Sequence, residues 1–449
     1  DFTGRVGQID GATSMTNHAT HVAGTLIAQG VVASAKGMSY AGSLWAHDWN
    51  LAEAEMAAAA ADALSVSQHS YVNIAGWFYN NGAWYWYGQA GAEEDWRYGF
   101  YNAGAAEWDM IAQLAPYYLI VNSAGNERGT GPAPGTQHYY WDGSQWLEST
   151  MVRQKGGGED GFDCIPTRGN AKNILTIGNV NGEGGMVSSS SWGPTDDGRI
   201  KPDVVAKGAG IYSPVATGDA NYASYTGTSM SGPMVSGPAG LLIQHYENLH
   251  PGSRLRASTL KALIIHTAND AISGAPGPDY RFGWGLMNTE KAALLMSKHA
   301  EQGIHIHEAI LRNGEKIEWP VKATGEEPLR ITLGWTDLPG VPPPISINPG
   351  NLMLVHDLDI RLTRLSDNTV LMPWILDPSN PAHAPTTGDN FRDNLEMIHL
   401  DEPLAGEDFI LSISHKGVLK TPSQAFSLII SGNQPVITPE ILAGFTANP

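Results

Sequence analysis

Short apolar runs that end in polar, glycine-bearing residues punctuate the first two thirds of the chain. Tyr118-Leu-Ile-Val121 is one, Ile174-Leu-Thr-Ile-Gly178 repeats its form, and Ile200 to Ala206 is a third. Around them, Val22 to Ala28, Met234 to Tyr246 and Leu260 to Thr267 have small and apolar residues at helical spacing. Buried strands that alternate with helices predict a mostly parallel sheet with helices on both faces, an α/β fold. Gly237-Pro238 falls inside the second helical stretch, where proline removes a backbone donor and predicts a kink. Between strand signals, Trp77 to Tyr101 is dense in aromatics, among them Trp84, Tyr85, Trp86, Tyr87, Trp96 and Tyr98. That segment reads either as a self-packed insertion or as an aromatic rim lining a peptide groove.

From about residue 303 the period changes to two. Leu329-Arg-Ile-Thr-Leu333, Leu358-Asp-Ile-Arg-Leu362, Phe409 to Ser414 and Phe426 to Ile430 alternate between Pro, Gly and Asp turns. No helical pattern lies between them. The expectation is an all-β, jelly-roll-like antiparallel sandwich over 303–433, following an α/β domain over 1–298. Residues 434–449 hold Pro435, Pro439 and Pro449 and read as a linker.

Composition narrows the picture in four ways. At 449 residues the chain suits two domains, and 42% hydrophobic against 16% charged residues argues for packed cores over disorder. A formal net charge of −19 repels phosphate backbones, so nucleic acid is excluded as a partner, whereas surplus carboxylates suit calcium. Cys164 is the only cysteine, so no intrachain disulfide forms. No apolar run reaches the roughly 18 residues of a membrane span.

Three segments carry chemistry. In Gly227-Thr-Ser229-Met-Ser-Gly-Pro233, a turn delivers a serine to the mouth of a helix, where the helix dipole favours a developing anion. The spacing is not that of an α/β-hydrolase elbow. In Asn17-His18-Ala-Thr-His21-Val-Ala-Gly24, two histidines open a helix as a base or as metal ligands, without the glutamate of the zinc-peptidase pattern. Val121-Asn-Ser-Ala-Gly-Asn126 ends a strand on an asparagine, a neutral fixed donor of the kind an oxyanion hole needs.

Together these blocks resemble the subtilisin-like serine peptidases. The resemblance runs over residues 2 to 298, in the family's order of His, Asn and Ser, with Ala19 standing where the family has glycine. Ser190-Ser-Trp-Gly-Pro194, Asp197 to Asp203, His266-Thr-Ala268 and Gly283 to Asn288 look like further family segments. The resemblance implies His18 as general base, Ser229 as nucleophile and Asn126 as oxyanion donor, acting on protein or peptide substrates through an acyl-enzyme. It places Ala75, Gly76 and Trp77, with Ser123, Ala124 and Gly125, along the substrate groove. It also implies a monomeric protein at the cell surface or outside a bacterial cell. Through Leu333-Gly-Trp-Thr-Asp337, Leu354 to Asp359 and Asp393-Asn-Leu-Glu396, the sandwich is similar to the C-terminal β-domain of alkaline, oxidatively stable subtilases.

The family's aspartate follows an apolar strand upstream of the histidine, a setting that neither Asp1 nor Asp10 has here. The expectation is therefore a fragment whose catalytic aspartate lies upstream, nearly inactive as it stands, with Asp10 a minor candidate for the acid. Gly444-Phe-Thr-Ala-Asn-Pro449 resembles the opening of a polycystic-kidney-disease-type β-repeat. Calcium is the expected cofactor, with Asp357, Asp359, Asp389, Asp393 and Glu396 as clustered oxygen donors. The acidic run Gly156 to Gly161 makes no phosphate cradle and reads as a turn. Two other classes compete: a catalytically dead subtilase scaffold that binds peptides, and a zinc enzyme using His18 and His21.

Overall fold

The computed structural model describes residues 1–436, so part of the expected linker and the β-repeat-like ending lie outside the described residues. Its centre is a four-stranded parallel sheet in the order Val204–Lys207, Leu175–Val180, Leu119–Ser123, Val66–His69. Every residue of the two inner strands is buried. Alternation along one of them shows why. Leu119 and Val121 join the core formed with helices Pro233–Leu249 and Ala257–His266, while Ile120 joins the opposite core around Trp108 of helix Ala103–Leu114. A strand buried on both faces is expected to be mostly apolar, the pattern read from the sequence, although Asn122, Ser123, Thr176 and Asn179 are buried in these two strands. The third predicted strand starts at Val204 instead of Ile200, because Pro202 has no N–H to give a ladder.

Helix Pro233–Leu249 continues through Pro238. Gly237 there allows a close approach: a Cβ would stand 2.7 Å from the Met38 Cβ. Ser39 Oγ donates to the Gly237 carbonyl at 2.6 Å, a partner from another segment for this stretch of helix.

The aromatic segment belongs to a second, four-stranded sheet of Trp77–Asn80, Ala83–Trp86, His138–Trp141 and Trp146–Ser149. Its rings pack on one another, Trp77 on Trp86 at 5.0 Å, Tyr85 on Tyr139 at 5.3 Å and on Trp146 at 5.1 Å. Of the two expectations, the self-packed insertion describes this arm.

The C-terminal region is an antiparallel sandwich. One sheet runs Ile306–Arg312, Ser423–Ser431, Leu329–Gly334, Leu395–Leu400, and the other is built on Leu358–Arg364, Asp408–His415 and Ile317–Ala323. Leu311, Ile331, Leu333 and Phe426 of the first sheet meet Ile360, Leu362, Leu411 and Ile413 of the second in one core. The sandwich seats on helix Ala257–His266. His266 bonds Thr332 Oγ1 and Ser431 Oγ at 2.9 Å each. Beneath it, the fully buried Lys172 Nζ reaches Asp337 Oδ2 at 2.5 Å, the Leu338 carbonyl at 2.6 Å and the Met353 carbonyl at 2.7 Å. Asp337 is the last residue of the Leu-Gly-Trp-Thr-Asp motif, which thereby joins the two layers.

Candidate active site

Ser229 lies in a single helical turn, Thr228–Ser231, that leads through Gly232 into Pro233–Leu249. It is half-buried. Its Oγ donates to the Ser70 carbonyl at 3.2 Å, and Ser70 Oγ donates back to the Ser229 carbonyl at 2.8 Å. The hydroxyl is thus clasped by the loop after strand Val66–His69. Nothing in the period of the sequence marks Ser70 for this position.

Asn126 comes to the serine through a tight turn at the end of Leu119–Ser123. Gly125 has φ of +102°, and a Cβ there would stand 2.2 Å from Glu127 Oε2 and 2.9 Å from Pro166 Cδ, so only glycine fits. The Asn126 side-chain oxygen accepts from the Thr228 N–H at 2.9 Å and from Thr228 Oγ1 at 3.3 Å. Thr228 Oγ1 in turn accepts from the Gly125 N–H at 3.2 Å. With the carbonyl end of the amide committed, its NH2 end makes no hydrogen bond among the described residues and remains on the exposed side. Glu127, immediately behind, is pushed up to about 7 by burial, against which the Ser191 hydroxyl donates to its carboxyl at 2.9 Å.

His18 sits in the first turn of helix Asn17–Ile27, which Thr16 caps by accepting from the Ala19 N–H at 3.1 Å. This helix packs against the turn that carries Ser229. The imidazole is exposed yet sufficiently surrounded that desolvation holds it below its ordinary value. Among the described residues it makes no hydrogen bond, to Ser229 or to a carboxylate. His21, one turn on, is fully buried; its Nε2 bonds the Ile211 and Ala223 carbonyls at 2.9 and 3.1 Å and its ring stacks on Tyr225 at 4.4 Å. Those carbonyls occupy Nε2 and leave Nδ1 without a partner, and among the described residues His18 and His21 belong to no group of three His, Cys, Asp or Glu side chains that could hold a metal ion. Gly24 permits the strand pair Ile211–Pro214 and Tyr222–Tyr225, which carries those carbonyls, to close in, since a Cβ would lie 2.4 Å from Ser213 Oγ and 2.5 Å from Pro214 Cδ.

Neither early aspartate supports the imidazole. Asp1 accepts from the Gly30 and Val31 N–H groups and from the Tyr222 hydroxyl. Asp10 accepts from the Asp48 N–H at 2.6 Å, which together with the Ala12 N–H holds its carboxyl below the usual range. Asp10 also lies in a loose group with His47 and Glu55.

The groove residues are arranged otherwise than expected. Ala75 and Trp77 are core residues, the Gly76 N–H donates to Asp95 Oδ2 at 2.6 Å, and the Gly76 carbonyl accepts from the Tyr87 N–H at 2.8 Å. No backbone group of Gly76 is left to pair with an incoming strand. Ser123, Ala124 and Gly125 are also buried, with the Ala124 N–H given to Ile177 and the Gly125 carbonyl accepting from Ser191. They shape the turn that holds Asn126.

The five candidate metal ligands do not form one open cluster. Asp357, Asp359 and Asp389 converge on Lys416 Nζ at 3.1, 3.0 and 2.9 Å, and Arg361 reaches the last two as well. Asp393 instead accepts from the Ile200 N–H at 2.8 Å, and the buried Glu396 accepts from the Ile360 N–H at 2.7 Å. Lys416, from outside the quoted sequence segments, and Arg361 thus stand where an ion was expected.

Comparison with known proteins adds a family. The model of the subtilase family matches residues 3–285. C5a peptidase of Streptococcus pyogenes is 53% identical over 62 residues, 14% of this chain and 5% of that protein. Pyrolysin of Pyrococcus furiosus is 38% identical over 107 residues, 23% of this chain and 8% of that protein. The chain thus spans a small part of these curated relatives. Among solved structures, the protease domain of PatA aligns with a TM-score of 0.44 at 16% identity, over 65% of this chain and 87% of that one. The maturation protease PagA aligns at 0.44 and 18%, with the same coverage.

Proposed function

Since the chain belongs to the subtilase family, we propose that it carries the serine, the base and the oxyanion donor of an endopeptidase that cleaves peptide bonds through an acyl-enzyme. The observation that supports this most is the lock between Asn126 and Thr228. It leaves a neutral N–H donor free on an exposed residue near Ser229, the hydroxyl of the motif that stays half-buried while those of Thr228 and Ser231 are fully buried. In this reading Ser229 Oγ leaves the Ser70 carbonyl, gives its proton to His18 and attacks the substrate carbonyl. The oxyanion is held by the Asn126 amide and the Ser229 N–H, and water then releases the acyl group.

His18 has no carboxylate partner among the described residues, so its tautomer is not fixed and its cation is not stabilised. Turnover by these residues alone is about 10⁴-fold below that of a complete triad. That same observation favours a second reading, a scaffold that binds peptides without cleaving them. Protein or peptide substrates, action as a monomer and a location at or outside the cell surface belong to the first reading through the family resemblance. None of the described helices is long and apolar enough to cross a membrane.

Incubating the purified chain with a fluorophosphonate probe, followed by peptide mapping, separates the two. Label on Ser229 that disappears in Ser229→Ala supports the peptidase. Labelling that persists in that variant removes Ser229 as nucleophile, and peptide binding without any label favours the scaffold.

A further inference from the structure

The chain enters the sandwich through a turn at Gly303, between helix Thr289–Gln302 and strand Ile306–Arg312. His299, in the last turn of that helix, holds the junction together. Its Nδ1 accepts from the His305 N–H at 3.2 Å and from the Ile306 N–H at 3.1 Å. A ring nitrogen that accepts two hydrogen bonds carries no proton of its own. His299 is therefore the neutral tautomer with its hydrogen on Nε2. The Gly303 N–H also donates to the His299 carbonyl at 2.7 Å, so one residue ties both sides of the turn.

Other imidazoles flank this ring. His250, at the end of helix Pro233–Leu249, lies 5.8 Å from it, and His307 of the strand lies 5.9 Å from it. Behind them, Tyr246 packs on His250 at 4.6 Å and Trp319 on His307 at 4.5 Å. The Nε2 atoms of His250 and His307 are sealed from solvent and have no hydrogen-bond partner among the described residues. The charged groups nearby are engaged elsewhere: Glu308 pairs with Arg256 at 3.4 Å, and Lys298 with Glu327 at 3.3 Å. His305 bonds the Ile430 carbonyl and Asn433 Oδ1 at 3.0 Å each. Among the described residues, no carboxylate pairs with His250, His299 or His307. Burial first, then the His307, His250 and His305 imidazoles, push the His299 pKa down to about 4 from its ordinary 6.5.

We propose that this junction is an acid-sensitive latch between the helix and the sandwich. When His299 takes a proton on Nδ1, it releases the His305 and Ile306 amides, and the helix end parts from the strand. A charged His299 then stands among imidazoles without a counter-charge, and each proton taken by His250 or His307 adds to the repulsion. Strand Ile306–Arg312 is an edge strand paired with Ser423–Ser431 alone, so little other backbone pairing opposes a local opening. The closed junction keeps His299 neutral, whereas the open one returns it to its ordinary value. Closure is therefore at full strength above about pH 6.5 and is lost as the pH falls towards about 4.

Hydrogen–deuterium exchange of the whole chain at about pH 7.5 and about pH 4.5, corrected for the intrinsic rate, tests the latch. Protection over residues 303–312 is expected to fall on the order of 10- to 100-fold at the lower pH, while residues 119–123 and 175–180 keep theirs. His299→Asn places an amide oxygen near the position of Nδ1 and cannot titrate, so it should keep the protection at both pH values. Unchanged protection in the parent overturns the latch. A loss that persists at full size in His299→Asn also overturns it, by placing the titrating group elsewhere. Simultaneous loss in the inner strands does so too, since that is global unfolding. Should the variant not fold, the midpoint in the parent decides: one between about 4 and about 6.5 supports the latch, and one outside that window overturns it. Exchange is read without substrate, so the outcome stands apart from the proposed function.

Discussion

The side-chain oxygen of Asn126 accepts from the backbone N–H of Thr228 at 2.9 Å. The two residues are far apart in sequence, and the bond fixes which end of the carboxamide faces outward. Removing the donor should slow attack by Ser229 without unfolding the turn. Asn126→Ala is expected to reduce the rate of fluorophosphonate labelling about 10²–10³-fold at an unchanged melting temperature. A rate within a factor of two of the parent would show that the amide contributes nothing at the oxyanion.

His18 supplies a pH signature. Desolvation favours its neutral form, so the protonated base appears only below the ordinary imidazole range. Labelling of Ser229 needs the neutral form, so the rate is expected to rise with pH through an inflection below about 6.5. His18→Gln should remove that inflection. A limb centred above the ordinary value would mean that a carboxylate partners the imidazole in solution.

The seam between the two layers makes a stability prediction. Lys172 and Asp337 are both fully buried, and Asp337 also accepts from the Val355 and His356 N–H groups at 2.8 and 2.9 Å. Asp337→Ala leaves an ammonium and two backbone donors buried without their partner. It should destabilise the chain by about 3–5 kcal/mol, read as a shift of the denaturant midpoint. A change below about 1 kcal/mol would mean that Lys172 finds other acceptors when the aspartate is gone.

Much of this molecule was legible from residue order. Strands read as short apolar runs do form the parallel sheet, because strands covered on both faces are mostly apolar, with buried polar residues such as Asn122 and Thr176 as exceptions. The period-two segments do pair into the sandwich. The three motif blocks each hold their chemistry within a few consecutive residues, and it was their joint resemblance to the subtilase blocks, not local geometry, that singled out His18, Ser229 and Asn126. The strand at Ile306–Arg312 was not marked, since its alternation also fits a helix end.

What only the tertiary structure decided is which charges and polar groups have partners. Sequence spacing gathered Asp357, Asp359, Asp389, Asp393 and Glu396, but the folded chain sends Lys416 and Arg361 into the first three. It left Asp163 and Asp196, distant in sequence and unremarkable in motif, facing each other over Gly99. It likewise used up the backbone of Gly76 and buried His21 against two carbonyls. Periodicity reports a residue's own face of its own element, whereas the balance of buried charge depends on segments brought together from far along the chain.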